Sequence, residues 1–114
     1  MDEATQRKLL RLVGLGVRGR LAVVGVNQVR DAAQRGKLRL AVVAPDASEN
    51  SLDKVVPLLR AKHIDIIEGP TSAELGASVG REATTVIGVT DVPLARGIRD
   101  LMKAGSEGAS RRTP

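Results

Sequence analysis

One segment constrains this chain more than any other: Leu38-Arg39-Leu40-Ala41-Val42-Val43-Ala44, whose latter part is continuously apolar. A strand with one wet face would alternate apolar and polar side chains. A strand without that alternation needs cover on both faces. It therefore implies a sheet with helices above and below, and the rest of the chain can supply them. Thr5 to Val17 is predicted helical, with Leu9, Leu10, Leu12, Val13 and Leu15 on one broad apolar face and Gly14, Gly16 and Gly19 weakening its end. Leu21 to Val24 is a short strand stopped by Gly25, and Asn27 to Arg35 is a second helix with Gly36 as its C-cap. A turn at Pro45-Asp46-Ala47-Ser48 leads to a helix over Glu49 to Lys62, with Ser48 as N-cap and Pro57 expected to kink or break it. Ile64 to Glu68 and Thr85 to Val89 are the third and fourth strands. Between them Thr71 or Ser72 caps a short helix through Val79, with Glu74 at capping-box spacing from Thr71. Val92 to Lys103 is the last helix, with Pro93 in its first turn.

The expected fold class is α/β, a three-layer α/β/α sandwich with a central four-stranded mixed sheet. A single domain should span residues 1–104, followed by a flexible polar tail over 105–114. The 114 residues suffice for one sizeable core, and the hydrophobic fraction of 42% suits a globular chain. That core must be aliphatic, because the chain has no Phe, Tyr or Trp. The same absence excludes recognition of bases by stacking on aromatic rings. With no cysteine there are no disulfides, thiolate metal sites or cysteine nucleophiles. The start, MDEATQRK, has no apolar signal-peptide core, and no apolar run approaches membrane-spanning length. A cytoplasmic monomer without cofactor, metal or membrane partner is expected.

The net charge of +5 is unevenly placed. Residues 1–39 hold nine Lys/Arg against three Asp/Glu, residues 40–100 six against nine, and the remainder three against one. A basic amino-terminal third fits a phosphate-binding surface and fits equally a solvated helix face rich in arginine.

Few residues could carry chemistry. His63 is the sole histidine, without a nucleophile motif or second histidine, and is expected in a solvent-facing loop. Asp46 and Asp91 both follow strands; on one sheet edge they could hold Mg²⁺ or act as acid and base. The turn and capping contexts PDAS and TDVP favour structural roles instead. Gly14-Leu15-Gly16 lies in a helix rather than after a strand and is no dinucleotide fingerprint. In Gly25-Val26-Asn27-Gln28-Val29-Arg30-Asp31 a strand ends on glycine and a helix starts with two side-chain amides. Free N–H groups there favour phosphate, and each amide can read a base edge. Asn27 could instead simply cap the helix. Both roles are open on local sequence.

Three segments in order, LVGLGVRGRLAVVG, NQVRDAAQRGKLRLAVVAPDASEN and TSAELGASVGREATTVIGVTD, resemble the small kink-turn-binding ribosomal proteins. This is the L-seven-Ae/L-thirty-e family, and the resemblance is to its bacterial YlxQ-like branch, over roughly Leu9 to Ile98. It implies the α/β/α sandwich and a non-catalytic protein that binds structured RNA, ribosomal RNA or the ribosome among the candidates. In that family the start of the second helix reads sheared G·A pairs of a kinked stem, and the loop after the LGxxxG helix supports a flipped-out nucleotide. By position these roles fall on Gly25, Asn27, Gln28 and Asp31, then Arg81, Glu82, Ala83 and Thr84. The family's kink-turn readers have a lysine at Asp31, where a carboxylate repels phosphate. Arg30, Arg35 or Lys37 would compensate if they face the RNA. Gln28 stands where many relatives have Glu, and Arg81 and Ala83 replace apolar residues. Asp31 also keeps a second reading open, a protein-interaction module with RNA binding lost or weakened.

Overall fold

The computed structural model describes residues 1–111, with side chains through Ala104. Four strands, β1 (Ala22–Val24), β2 (Leu40–Val43), β3 (Asp65–Glu68) and β4 (Val86–Val89), form one mixed sheet in the order β1-β4-β2-β3. β4 is antiparallel to both β1 and β2, and β2 is parallel to β3. Five helices surround it: α1 (Glu3–Arg18), α2 (Val26–Gln34), α3 (Glu49–Ala61), α4 (Ser72–Ser78) and α5 (Val92–Arg111).

The continuous apolar run of β2 is explained by its position inside the sheet, where all four residues are buried. Leu40 and Val42, with Ala44 beyond them, pack with Leu9, Val13, Leu75, Ala95 and Ile98 of α1, α4 and α5. The alternate residues Ala41 and Val43 pack with Val29, Ala32, Ala33, Val55 and Leu59 of α2 and α3. The three-layer sandwich with a four-stranded mixed sheet is therefore what the chain builds. Burying each Leu, Ile or Val contributes about 1.5–3 kcal/mol, so two such aliphatic layers replace the missing aromatic core. β3 forms an edge, and its outer residues Asp65 and Glu68 are exposed.

Helix starts follow the capping chemistry of the sequence. Asp2 accepts from Thr5 N–H at 2.7 Å, Ser48 from Ser51 N–H at 3.2 Å and Asp91 from Leu94 N–H at 2.9 Å. Thr71 and Glu74 complete a reciprocal capping box on α4. Two boundaries differ from expectation. Pro57 does not break α3, which runs on to Ala61. Pro57 and Asp53 are both exposed, so water reaches the carbonyl that loses its N–H partner. α5 continues past Lys103 to Arg111, into the segment expected to be a flexible tail; residues 112–114 of that tail lie outside the described residues. No described helix is long and apolar enough to cross a membrane.

Candidate nucleic-acid interface

The strand directions bring four connections to one end of the sheet: those after β1, β2 and β3, and the one before β4. Two hydrogen bonds extend the pairing beyond the strands. Gly25 N–H donates to Val86 O at 2.9 Å, and Ala44 N–H to Thr85 O at 2.8 Å. The start of α2 and the loop entering β4 are thereby neighbours, although far apart in the chain.

Gly25 is the N-cap of α2, with φ 94°, and no atom would meet a Cβ there within 4 Å. The ladder to Val86 holds its N–H while the chain turns sharply into the helix, a conformation glycine adopts without strain. This corrects the option that Asn27 caps α2: the helix begins at Val26, and no side-chain cap bond is present. Asn27 and Gln28 occupy the second and third helical positions, both exposed, and no hydrogen bond among the described residues engages either amide. Val29 N–H is the first to find a helical partner, donating to Gly25 O at 3.0 Å. The N–H groups of Val26, Asn27 and Gln28 precede it and have no carbonyl one turn back. With the positive end of the helix dipole, they form an outward-facing set of donors suited to an anion.

The loop before β4 is folded back on α4. Gly80 has φ 74°, Arg81 N–H donates to Gly76 O at 2.8 Å, and Thr84 N–H donates to Ser72 O at 3.0 Å. Gly76 permits this closeness, since a Cβ there would lie 2.7 Å from both Cα and N of Ala83. Arg81, Glu82 and Ala83 are exposed in this loop, whereas Thr84 is 6% exposed and turned inward.

The three basic residues considered as compensation for Asp31 lie elsewhere. Asp31 forms an exposed ion pair with Arg35, Nε to Oδ1 3.1 Å, so these two charges offset each other one turn apart. Arg30 donates to the carbonyl of Lys54 and ties α2 to α3. Lys37 follows α2 at the opposite end of the sheet, with its N–H donating to Ala32 O. Gly25, Asn27 and Gln28 thus lie at the same end of the sheet as Arg81, Glu82 and Ala83, while Arg30 and Arg35 are engaged elsewhere on α2 and Lys37 lies at the opposite end.

Asp46 also belongs to this end, in a role its local sequence did not signal. Its carboxylate accepts from Ser72 N–H at 2.8 Å and from Ser72 Oγ at 3.0 Å. The Ser72 N–H holds this carboxyl below its usual range. Glu74 is likewise held low, chiefly by the backbone N–H of Thr71, then by the Thr71 hydroxyl and the Gln6 amide. Asp46 and Glu74 thereby lock the start of α4 to the β2–α3 turn and to α1. Asp91 sits at the other end of the sheet, because β2 and β4 run in opposite directions. The two aspartates cannot act as a pair on one edge, and each serves turn or capping geometry. Among the described residues no group of three His, Asp or Glu could hold a metal ion. His63 is exposed at the end of α3, with φ 57°.

Residues 8–102 match the model of the ribosomal protein L7Ae/L30e/S12e/Gadd45 family. The chain is 31% identical to the RNA-binding protein YlxQ of Bacillus subtilis (strain 168), over 80% of this chain and 91% of that one. It is 26% identical to the RNA-binding protein YlxQ of Enterococcus faecium, over 90% and 99% of the two chains. A protein of unknown function from Bacillus halodurans superposes with a TM-score of 0.76 at 29% identity, covering 84% of this chain and 97% of that one. The 15.5kD RNA binding protein of Giardia lamblia shares the fold, with a TM-score of 0.76 at 20% identity over 91% of this chain and 89% of that one.

Proposed function

The chain belongs to the ribosomal protein L7Ae/L30e/S12e/Gadd45 family, in its YlxQ-like branch, and from that we propose that it binds structured RNA, without catalysis, as a cytoplasmic monomer. The observation that carries the reading is the start of α2. It offers N–H groups with no helical partner and two exposed, unengaged amides, beside a loop bearing Arg81. The RNA-binding names of the Bacillus subtilis and Enterococcus faecium relatives support the same partner.

The finer proposal is a kinked stem. The N–H groups of Val26 to Gln28 take a phosphate, the amides of Asn27 and Gln28 meet base edges exposed at the kink, and Arg81 adds charge from the facing loop. Ribosomal RNA is the natural setting for such a stem. Without aromatic residues the readout is by hydrogen bonds and shape. A good bidentate base contact contributes about 1–3 kcal/mol. Asn27→Ala with Gln28→Ala should therefore weaken binding to a kinked stem about tenfold or more, while plain duplex binding changes little. Titration of both RNAs with labelled ends measures this, and equal loss on both would remove base-edge reading. The charge-neutral Asp31–Arg35 pair favours a second reading, a protein-interaction module on the same fold. Wild-type protein with no preference for the kinked stem over duplex would favour that alternative.

A further inference from the structure

The kinked-stem reading uses α2 and the loop before β4, and it leaves the charge of α1 without a role. α1 carries Arg7, Lys8, Arg11 and Arg18 against one acid, Glu3. Its buried residues are Thr5, Leu9, Val13, Gly14 and Gly16, while Ala4 and all four cations are exposed. At 3.6 residues per turn, Arg7, Arg11 and Arg18 fall in one strip along the outer face. That strip borders the flank of Gly14, where a Cβ would lie 2.6 Å from Ser78 O of α4. The arginines therefore run alongside α4, which leads directly into the Gly80–Thr84 loop. α1 also begins at the interface end of the sheet, since the Gln6 amide donates to Glu74 of α4.

Two further facts set this strip apart. The ion pairs Arg35–Asp31 and Arg99–Asp65 lie on other elements, and no ion pair among the described residues engages Arg7, Lys8, Arg11 or Arg18. The small side chain of Ala4 leaves a shallow depression lined by Arg7, Lys8 and Arg11. Three cations around a concavity whose lining holds no acid suit an anion of phosphate size. Arg7 and Arg11 are about 6 Å apart along the helix axis, close to the step between neighbouring phosphates of one strand. Their planar forks match phosphate oxygens in bidentate geometry.

We propose that the outer strip of α1 is a second RNA-contacting surface, which takes backbone phosphates of the helix flanking the kinked stem. This rests on the reading of the α2 end as the kinked-stem site. The flanking helix leaves that site, passes α4 and lies along Arg7 and Arg11. Its contacts carry no sequence information; they set the orientation of the helix and add affinity that depends on salt. Arg18 is a lesser contributor, because its Nε already reaches toward Gly14 O at 3.5 Å.

The test uses the full chain and two RNAs, a minimal kinked stem and the same stem with one flanking helix lengthened by a full turn. Affinities are measured from about 50 to 200 mM salt, for wild type and for Arg7→Ala with Arg11→Ala. Each phosphate contact adds roughly 0.9 to the slope of log K against log salt on duplex DNA. Wild type should bind the longer RNA more tightly, with a slope steeper by about two, an advantage that shrinks about tenfold across that salt range. The variant should lose this advantage and bind the minimal stem as wild type does. An equal melting temperature for the two proteins shows that the fold is intact. Equal wild-type affinity for both RNAs, or an equal loss on both in the variant, overturns the α1 surface and leaves the α2 site standing. Wild type that binds neither RNA overturns both.

Discussion

Replacing Gly76 by alanine would place a methyl group against backbone. The new Cβ would lie 2.7 Å from Ala83 Cα and N, and 2.9 Å from Arg81 O. A flexible side-chain tip could swing aside; here the loop itself has to move, and it is held by Arg81 N–H on Gly76 O and Thr84 N–H on Ser72 O. Overpacking of this kind costs about 1–3 kcal/mol. Alanine recovers up to about 1 kcal/mol through its better helix propensity. The net loss is about 1–2 kcal/mol, and in a domain near 100 residues this lowers Tm by about 5–12 °C. Gly97→Ala is the internal control. Gly97 is exposed within α5, and no atom would lie within 4 Å of its Cβ, so propensity alone should stabilise it by up to about 1 kcal/mol. The two glycine-to-alanine changes should therefore have opposite signs. The chain has no Trp or Tyr, so far-ultraviolet circular dichroism during urea and thermal unfolding is the suitable probe. The displaced loop bears Arg81, Glu82 and Ala83, so Gly76→Ala should also weaken RNA binding. A Gly76→Ala protein as stable as Gly97→Ala would refute the tight backbone contact between α4 and the loop.

Asp31→Lys removes a carboxylate near the α2 face and frees Arg35 from its ion pair. Loss of this exposed pair should cost at most about 0.5 kcal/mol of stability. Kinked-stem affinity should rise several-fold at low salt; no change would place Asp31 away from the RNA. Asp46 and Glu74 have folded-state pKa values below the ordinary 3.8 and 4.5. The unfolded chain then binds protons first as pH falls, so their contribution to stability is present above the ordinary values and lost as pH drops through the folded ones. The urea midpoint should fall below about pH 4.5, and Glu74→Gln should flatten part of that fall. An identical pH profile in the variant would remove Glu74 from the cause.

Layering was legible in the sequence because burial on both faces leaves a local mark. The unbroken Leu40–Val43 run, the Thr71–Glu74 spacing and the caps at Ser48 and Asp91 each depend on neighbours a few residues away. Strand order and direction leave no such mark. The possibility that Asp46 and Asp91 share an edge failed on the antiparallel pairing of β2 with β4. The link from Asp46 to Ser72 was hidden for the same reason. At the candidate site, Gly25 and the two amides were visible as residues. Their status as uncapped and unengaged depends on the Gly25–Val86 bond, which no local pattern encodes. The charge of the first third was equally plain, but its division into an α1 strip, an Arg30 clamp and an Asp31–Arg35 pair needed the packing of the helices.

The strand made last stands in the middle of the sheet. β4 joins β1 to β2, pairing Ala22 with Val89 and Val43 with Val86, and β1 and β2 do not touch each other directly. During synthesis the amino-terminal helix and strand must wait, sheetless, until Val86–Val89 has left the ribosome. Contacts so distant in sequence carry the largest loop-closure cost. The same strand draws the start of α2 beside the loop that faces it. A nascent chain without β4 can pair β2 with β3 but cannot join β1 to them, and the start of α2 meets the facing loop only once β4 is in place.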